Sequence, residues 1–538
     1  QPLGRFPLEK TPKGLVVTQY DMYPVEDMGL LKIDLLAQKG LAVLADTVRD
    51  VEAHYKTRID FHRIDPVADP KTRDLIREGK TIGCFYIESP GMRNLLKKLR
   101  VASFEMLTAA SSIIRPGVAD SGMMKSFIDR HNGKEKIRAL HPRVEEILKD
   151  TFGVMIYQED VLKVAHAIAG MSLGEAEGLR KCMSKKRDWE DMNNYRERFL
   201  SGAMANGVAP KAAHEIWRQI ESFAGYAFCK AHSASFAIVS YQTAYLKAHY
   251  PAEFMAAVLS NRGGFYDACA YVEEARRLGL AILPPHVNHS DSAFAAFPSS
   301  HSEKGKRNGI RIGLSQVKGL TDSSIHSIVE KRRENLYTSL EDFLSRVAID
   351  AHEAESLIRC GALDGLGPSR PNLLWRLKIF DRGRRRSSSQ TARQTTFPQD
   401  KPGRALPPLA EYSLREKLLA ELECLDIAVS AHLLSLYNID GKNITRACEI
   451  PRLSGRLVTL VGWLINSKRT RTVKNEFMKF LMLEDATETF EVTLFPKIYR
   501  RFGPLLYDRG PYFIKGRVER EGLCCTVTAL WLGRVVRC

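Results

Sequence analysis

The chain has 538 residues, 44% of them hydrophobic, and 80 Lys and Arg residues stand against 63 Asp and Glu residues. This length exceeds what one hydrophobic core usually supports, so we expect several domains. The formal net charge of +17 favours nucleic acid over an anionic membrane surface as the partner. No segment approaches the roughly 18 uncharged apolar residues of a membrane-spanning helix, which argues against a helical membrane protein.

The cysteines and the first residues indicate the compartment and the state of the chain. The ten cysteines form no Cys-x-x-Cys pair and no Cys/His spacing typical of a zinc site. We therefore expect reduced, packing cysteines and a cytoplasmic protein. The chain begins with Gln1 and not with Met, and no signal-peptide layout follows. The sequence thus indicates a fragment or a processed product.

The first forty or so residues read as strands around a turn, over residues 14–20 and 29–36. In the second strand, a period of two places Lys32 and Asp34 on one face. Charges on an apolar strand are costly to bury unless they pair with each other or with a metal and phosphate. The pattern alone favours a plain Lys/Asp pair at a strand edge. The alternative is a metal-binding carboxylate beside a phosphate-binding lysine.

From about residue 41 to residue 259, apolar residues recur at spacings of three and four between Gly and Pro, which predicts a mostly α domain. The segment Gly178–Arg187 concentrates five cations within ten residues. A triphosphate would neutralise such a cluster. Without further information, a charge run of this kind is more often a solvated helix face.

Two short helix pairs with glycine turns follow within residues 313–367. Lys318 and Gly319 lie in the first turn, and Gly365 and Gly367 lie in the second. These turns fit tandem helix-hairpin-helix units, in which glycine lets backbone N–H groups approach phosphate closely. An ordinary helical hairpin fits the pattern equally well.

A basic, Ser-rich and Pro-rich stretch over residues 381–408 reads as a linker. The last eighty or so residues then alternate like short strands and carry a basic first hairpin that includes Lys468, Arg469 and Arg471. This pattern suits a small barrel of the OB type, which binds single strands through a positive groove and aromatic stacking. Other small barrels fit too, and basic strand surfaces are usually solvated faces.

Several runs resemble one family. The run Val17–Met22 followed by Leu31–Leu36 is similar to the last palm strand of the bacterial DNA polymerase III alpha family, whose members are replicative DNA polymerases. The similarity continues through Gly153–Asp160, Lys230–Ala234 and Tyr250–Phe254. It is colinear over nearly the whole chain, and such a series is strongly specific.

The resemblance implies roles for individual residues. The position of Asp34 is that of the third catalytic carboxylate, a metal ligand, and the position of Lys32 lies near the incoming triphosphate. Arg180 and Lys181 occupy positions whose basic residues hold the phosphates of the nucleotide. The second of these is commonly Arg, so Lys181 would keep the charge and lose the planar fork. With these residues we group Lys185 and His232, although His232 suits helix capping or packing equally well.

The chain also departs from the family pattern. The family clamps two Mg²⁺ ions with three aspartates, two of them one residue apart, and no such Asp-x-Asp pair is present. We therefore expect the chain alone not to polymerise. In the linker, Gln394 and Phe397 resemble a degraded clamp-binding peptide, although a match this short arises by chance at least as often.

The predicted architecture is multidomain α+β, with the end of a palm sheet, a large mostly α fingers domain, a helix-hairpin-helix region and a C-terminal OB-type β-barrel. The predicted domains are residues 1–42 (end of palm), 43–300 (fingers), 301–372 (tandem helix-hairpin-helix, duplex-binding), 373–410 (linker with possible clamp peptide), 411–450 (helical connector) and 451–538 (OB fold).

The predicted function is template-directed DNA synthesis in bacterial replication, a nucleotidyl transfer with Mg²⁺ as cofactor and primer-template DNA and dNTPs as substrates. A sliding clamp and other replicase subunits are further expected partners, and a membrane is not. One alternative is an error-prone, translesion paralogue. Another is a non-catalytic DNA-binding scaffold, which the missing Asp pair favours. A tRNA-binding enzyme that uses the barrel would require adenylate-site motifs that are absent from the sequence.

Overall fold

The structure is a computed structural model, which describes residues 6–12, 14–31, 33, 38–114, 122–137, 140–184, 189–222, 229–298, 308–387, 409–439, 443–472 and 474–535. The chain divides into two compact units, one within residues 1–39 and one within residues 40–538. Every helix in the described ranges is too short or too polar to cross a membrane.

The small unit contains two short antiparallel strands, β1 (Leu8–Lys10) and β2 (Val16–Thr18), followed by the helix Met22–Asp27. Strand β2 lies in the first predicted strand. The helix falls where the sequence predicted a turn. The second predicted strand, over residues 29–36, lies largely outside the described residues, and with it lie Lys32 and Asp34.

The large unit begins with a helical body, as the spacing of apolar residues predicted. Its helices start at local capping signals: the Ser89 side chain accepts the backbone N–H of Met92, and Pro90 occupies the first turn. The helices are Lys39–Tyr55, Pro70–Arg77, Pro90–Leu99, Phe104–Ile113, Met123–His131, Pro142–Ile147, Gln158–Ala169, Leu173–Ser184, Trp189–Ala205, Pro210–Ser222, Lys230–His249, Pro251–Asn261 and Ala268–Arg277.

The helix Lys230–His249 is central to this body, because it packs against both Phe104–Ile113 and Pro70–Arg77. Its length is lined with buried positions, among them Ala237, Tyr241 and Ala244. Closely packed small and aromatic side chains hold such a helix rigidly. The residues at its first turn are therefore presented from a fixed support.

A three-stranded sheet connects the body to the next helices. Strand β5 (Gly309–Arg311) lies in the middle, parallel to β3 (Ala281–Leu283) and antiparallel to β4 (Ala295–Phe297). The predicted helix-hairpin-helix region contains the helices Asp322–Glu334, Leu340–Arg346 and Ala351–Arg359, and the predicted connector contains Leu414–Leu425. Between them, the helix Arg370–Ser387 extends into residues 373–410, which the sequence predicted as a linker, so the first part of that stretch is helical.

The C-terminal strands close into a barrel. They are β6 (Leu457–Arg471), β7 (Phe477–Glu484), β8 (Thr489–Leu494), β9 (Tyr512–Glu521) and β10 (Cys524–Arg534). Their order around the barrel is β10-β8-β7-β6-β9. Among the described strands of the barrel, β8 and β10 pair in parallel and the other pairs are antiparallel. The helix Pro496–Phe502 follows β8. This five-stranded closed barrel is consistent with the predicted OB type.

The barrel packs against the helical body through polar side chains of β7, β8 and β9. Each contact joins a helix residue to a strand residue at hydrogen-bond or ion-pair distance. The pairs are Arg93 with Thr489 (3.0 Å), Asn94 with Glu491 (2.8 Å), Lys98 with Glu521 (2.7 Å) and Arg277 with Glu484 (3.1 Å). Buried polar contacts require specific geometry, so they fix the orientation of the barrel on the body.

His432 is buried between the barrel and the body and gives this region a pH dependence. Burial lowers the pKa of His432 to about 4, and the nearby Arg277 lowers it further. Between pH 4 and 6.5 the unfolded chain therefore binds a proton that the folded chain does not bind. Stability falls by about 2–3 kcal/mol as the pH falls through this window.

We expect His432→Asn to flatten this slope. The Nδ1 atom of His432 accepts the N–H of Leu434 at 3.1 Å, and Asn retains an acceptor for that role without a titrating ring. Chemical unfolding at pH 7 and pH 4.5 measures the slope for both proteins. Equal slopes in wild type and variant would show that His432 is not the group responsible.

Candidate functional site

Arg180 lies near the end of the helix Leu173–Ser184 and is fully engaged by protein acceptors. Its Nε and Nη2 atoms donate to the two carboxylate oxygens of Glu177 at 2.8 and 2.6 Å. Its Nη1 atom donates to Oε1 of Gln158 at 3.0 Å. The hydrogen bond that Arg180 donates to Glu177 raises the pKa of Arg180, so the guanidinium stays charged. An anionic ligand must displace Glu177 to form a bidentate contact with this side chain.

A second cation lies at the start of the helix Lys230–His249. The carboxylate of Glu159 accepts the backbone N–H of Lys230 at 3.1 and 3.0 Å and the thiol of Cys229 at 3.3 Å. The Lys230 ammonium lies 5.2 Å from the centre of the Tyr157 ring. Gln158, which contacts Arg180, and Glu159 are neighbours in sequence. They bring the end of one helix and the positive start of another to the same surface.

Asp160 fixes the segment that carries these two acceptors. One of its carboxylate oxygens accepts the backbone N–H groups of Ile156 and Tyr157, both at 3.0 Å. Burial raises the pKa of Asp160 to about 6 in spite of these bonds. The first turn of the helix Gln158–Ala169 is thus anchored, which positions Gln158 and Glu159 for their contacts.

Lys181 directly follows Arg180, His232 lies two residues after Lys230, and both are exposed. The His232 ring lies 4.0 Å from the Phe236 ring, centre to centre. Next to it, Ser233 is buried, and its hydroxyl lies 2.7 Å from that of Ser112. The N-cap of this helix is Cys229 and not His232. Arg180, Lys181, Lys230 and His232 are called the cationic cluster below.

Sequence reasoning missed several members of this surface. It singled out Arg180, Lys181 and His232, but not Lys230 or the acceptors Gln158 and Glu159. Gln158 and Glu159 lie in the run Gly153–Asp160 and Lys230 opens the run Lys230–Ala234, so the colinear similarity contained a signal for them. No sequence pattern indicated that these distant residues hydrogen-bond to each other or to Arg180.

The two predicted glycine turns have different geometries. Gly319 and Gly365 adopt φ angles of +80° and +87°, and an added Cβ would meet no atom within 4 Å at either. Gly367 has no such backbone angle, and the side chain of Leu373 lies against it. The ammonium of Lys318 pairs with Asp426. Gly319 and Gly365 therefore offer the open backbone that close approach of phosphate requires.

The first hairpin of the barrel carries a compact cationic and aromatic surface. The guanidinium carbons of Arg469 and Arg471 lie 4.7 and 4.6 Å from the centre of the Phe477 ring. Register pairs Arg471 with Phe477 and Arg469 with Lys479, so these side chains share one face. Partial burial, and then Arg469, lower the pKa of Lys479. Lys468, one position along β6, faces the other side.

Metal ligation is not accounted for by the described part of the chain. No group of three or more His, Cys, Asp or Glu side chains there is arranged to hold a metal ion. The predicted residues Lys32, Asp34, Lys185, Gln394 and Phe397 lie outside the described residues. The side chains present in the described ranges therefore do not form a two-metal site.

The fold and these surfaces define a multidomain protein in which a helical domain with a cationic cluster is joined to a glycine-turn region and an OB-type barrel. Residues 40–207 match the family model for the bacterial DNA polymerase III alpha subunit finger domain, and residues 279–373 match that for the helix-hairpin-helix motif. Over residues 40–207 the chain is therefore similar to the finger domain of bacterial DNA polymerase III alpha subunits.

Individual relatives show the same similarity. The chain is 36% identical, over 96% of its length, to a DNA polymerase III subunit alpha of Helicobacter pylori, of which it covers 44%. It is 35% identical, over 98% of its length, to that of Thermus aquaticus, of which it covers 43%. It is 34% identical, over 97% of its length, to a protein named error-prone DNA polymerase from Symbiobacterium thermophilum, of which it covers 51%. The chain spans about half the length of these curated relatives.

Proposed function

We propose that the chain takes part in template-directed DNA synthesis, in which a deoxynucleotide is transferred to a primer 3′ end during bacterial DNA replication. The observation that carries the proposal is that Arg180 and the helix start at Lys230 bond to the adjacent acceptors Gln158 and Glu159, within a unit whose residues 40–207 match a polymerase finger domain. Relatives named DNA polymerase III subunit alpha are as similar to the chain as the relative named error-prone DNA polymerase, so a translesion role has no stronger support.

The cationic cluster suits a nucleoside triphosphate. Once Glu177 is displaced, the planar fork of Arg180 matches two phosphate oxygens, and Lys181 adds a mobile point charge. The N-terminus of the helix Lys230–His249 contributes the partial positive charge of its dipole. The charge of the phosphates thus replaces that of Glu177, and the exchange orients the triphosphate for attack by the primer hydroxyl.

The cofactor part of the proposal depends on Asp34. By resemblance, Asp34 supplies one ligand for Mg²⁺, with two ions in the complete site, and Lys32 lies beside the triphosphate. The side chains of the described residues add no further metal cluster. Among the described residues, the contribution to the reaction is therefore the binding of the triphosphate by the cationic cluster.

Nucleic acid and protein partners are proposed for the remaining surfaces. The backbone at Gly319 and Gly365 would contact duplex phosphates, with Lys318 nearby and Gly367 supporting the second turn. The barrel face with Arg469 and Arg471, together with Lys468, would contact the single-stranded template. Gln394 and Phe397 are proposed to contact a sliding clamp. Other replicase subunits and a cytoplasmic location complete the proposal.

The proposal is tested by primer extension with Arg180→Ala in the full-length gene product. Loss of the bidentate phosphate contact is expected to raise the KM for dNTPs by roughly tenfold or more, since a charged hydrogen bond contributes about 1.5–3 kcal/mol. Arg218→Ala is a matched control, because Arg218 also pairs with a carboxylate three residues earlier, Glu215 at 2.7 Å, but lies outside the cluster.

If wild type extends primers and Arg180→Ala has the same KM for dNTPs as wild type, Arg180 does not bind the nucleotide. Absence of extension by the wild-type gene product, with DNA binding retained, would favour the non-catalytic scaffold.

A second prediction concerns the barrel. We expect Arg469→Ala combined with Arg471→Ala to weaken binding of single-stranded DNA about tenfold near physiological salt. The slope of log affinity against log salt should fall in magnitude by about 1.4, because two phosphate contacts are lost. Fluorescence anisotropy at several salt concentrations measures both quantities.

The control for the barrel variant is Arg517→Ala combined with Arg520→Ala. Both arginines are exposed on β9. Their replacement removes the same net charge from the same domain as the Arg469 and Arg471 substitutions do. An equal loss of affinity and slope in both double variants would indicate a diffuse charge effect and contradict a specific role for the β6–β7 hairpin.

A further inference from the structure

Tyr86 has an unusual backbone conformation for a bulky residue. Its φ angle is +68°, which lies in the left-handed region. Residues other than Gly, Asn and Asp rarely adopt this backbone conformation. Such a conformation persists only when the surrounding structure fixes it, and it occurs preferentially at functional sites.

The loop around Tyr86 is held on both sides by specific hydrogen bonds. The hydroxyl of Ser240 donates to the carbonyl oxygen of Phe85 at 2.9 Å, directly before Tyr86. The hydroxyl of Thr81 donates to the carbonyl oxygen of Ile87 at 2.6 Å, directly after it. Ser240 belongs to the central helix Lys230–His249. The strained residue is therefore fixed relative to the helix that carries His232.

Phe85 adds a third constraint. Its ring packs so closely on Gly40 that an added Cβ there would lie 2.2 Å from a ring carbon. The rings of Phe85 and Tyr86 are stacked with their centres 5.9 Å apart. Close packing on a glycine leaves the Phe85 ring little freedom, so it supports one side of the Tyr86 ring.

The Tyr86 ring is connected to His232 of the cationic cluster by contacts with one intervening aromatic residue, Phe236. Tyr86 meets Phe236 at an interplanar angle of 77°, with centres 4.9 Å apart. Phe236 in turn meets His232, one helical turn earlier, with centres 4.0 Å apart. The first contact is edge-to-face, a favourable and directional arrangement, and the second is tilted at 50°. The series Tyr86–Phe236–His232 thus ends at an exposed imidazole in the cluster.

We propose that Tyr86 is a positioning residue that acts through Phe236 to hold the His232 imidazole against the nucleoside part of the bound triphosphate. This inference rests on the proposed function. An exposed imidazole at the first turn of a helix has several accessible rotamers, and a ring packed against it removes that freedom only if the ring is itself immobile. Arg180 and Lys181 take the phosphates by charge, which leaves the sugar and base for His232.

The test is a double-mutant cycle on the full-length gene product, with kcat and KM for dNTPs measured by single-nucleotide primer extension. Tyr86→Gly removes the ring and suits the positive φ angle, and Tyr86→Phe retains the ring as the conservative control. We expect Tyr86→Gly to raise KM about tenfold and Tyr86→Phe to stay within about twofold of wild type. In a His232→Ala background, Tyr86→Gly should cause no further rise.

Each other outcome overturns the inference. Additive effects of the two substitutions would show that Tyr86 does not act through His232. A fall in kcat and in thermal midpoint without a change in KM would show a purely structural role. An unchanged KM in His232→Ala would show that His232 does not contribute to nucleotide binding, so Tyr86 could not act through it. The proposed function survives all three, provided that wild type extends primers and Arg180→Ala is impaired; failure of wild type to extend would overturn both.

Discussion

Lys247→Met is expected to lower the free energy of unfolding by about 3–5 kcal/mol, because it leaves a buried carboxylate and two carbonyl groups without their donor. The side chain of Lys247 is fully buried. Its ammonium donates to Glu274 at 2.6 Å and to the carbonyl oxygens of Lys80 and Ile82, both at 2.8 Å. Methionine fills similar volume and offers no donor.

The electrostatics of Glu274 support this magnitude. Burial alone would raise its pKa, but Lys247 and Arg277 outweigh burial and lower the pKa to about 2. A carboxyl with a lowered folded-state pKa stabilises the fold above its ordinary pKa of about 4.5, and that contribution is lost as the pH falls towards 2. In Lys247→Met, Arg277 and the smaller contribution of Arg93 remain to offset the burial of this charge.

The matched control for Lys247→Met is Lys331→Met. Lys331 also pairs with a glutamate, Glu334 at 3.0 Å, but both side chains are exposed, and such pairs contribute about 0–1 kcal/mol. Chemical unfolding followed by circular dichroism compares the variants. Combining Lys247→Met with Glu274→Leu should recover much of the loss, since no charge is then left unpaired. Equal midpoints for the two single variants would contradict the argument.

The sequence predicted those features that depend on local periodicity. Apolar spacing of three and four predicted the helical body, and alternation predicted the barrel strands, because burial of one face dictates both patterns. The basic hairpin around Arg469 and Arg471 was predicted to lie in strands, and register then places both beside Phe477. Short elements were harder: the helix Met22–Asp27 is too brief to show a period.

Contacts between distant segments were not predictable in this way. Arg180 bonds to Gln158, 22 residues earlier, and Glu159 bonds to Lys230, 71 residues later. Such pairs are set by how whole helices pack, and a single sequence carries no trace of which surface charges meet. Tyr86 illustrates the same limit, because its positive φ angle follows from tertiary hydrogen bonds and not from a glycine or asparagine signal.

Asp34→Asn is expected to reduce primer extension by the full-length gene product roughly a thousandfold or more, with affinity for primer-template DNA unchanged. Asparagine keeps the shape of the side chain but removes the charge that a hard divalent cation requires. Loss of one charged metal ligand removes several kcal/mol of stabilisation from the transition state, and each 1.36 kcal/mol corresponds to tenfold in rate. Steady-state extension with saturating dNTPs measures the loss.

Asp27→Asn provides the comparison for Asp34→Asn, because Asp27 is an exposed aspartate of the same small unit with no predicted role. It should extend primers as wild type does. The two variants then separate a specific ligand from a general effect of charge, since both remove one negative charge from the same segment. Extension by Asp34→Asn at the rate of Asp27→Asn would disprove the catalytic assignment of Asp34. It would leave the cationic cluster as the chain's contribution to nucleotide binding, because Arg180 and Lys230 are held by Gln158 and Glu159 and not by Asp34.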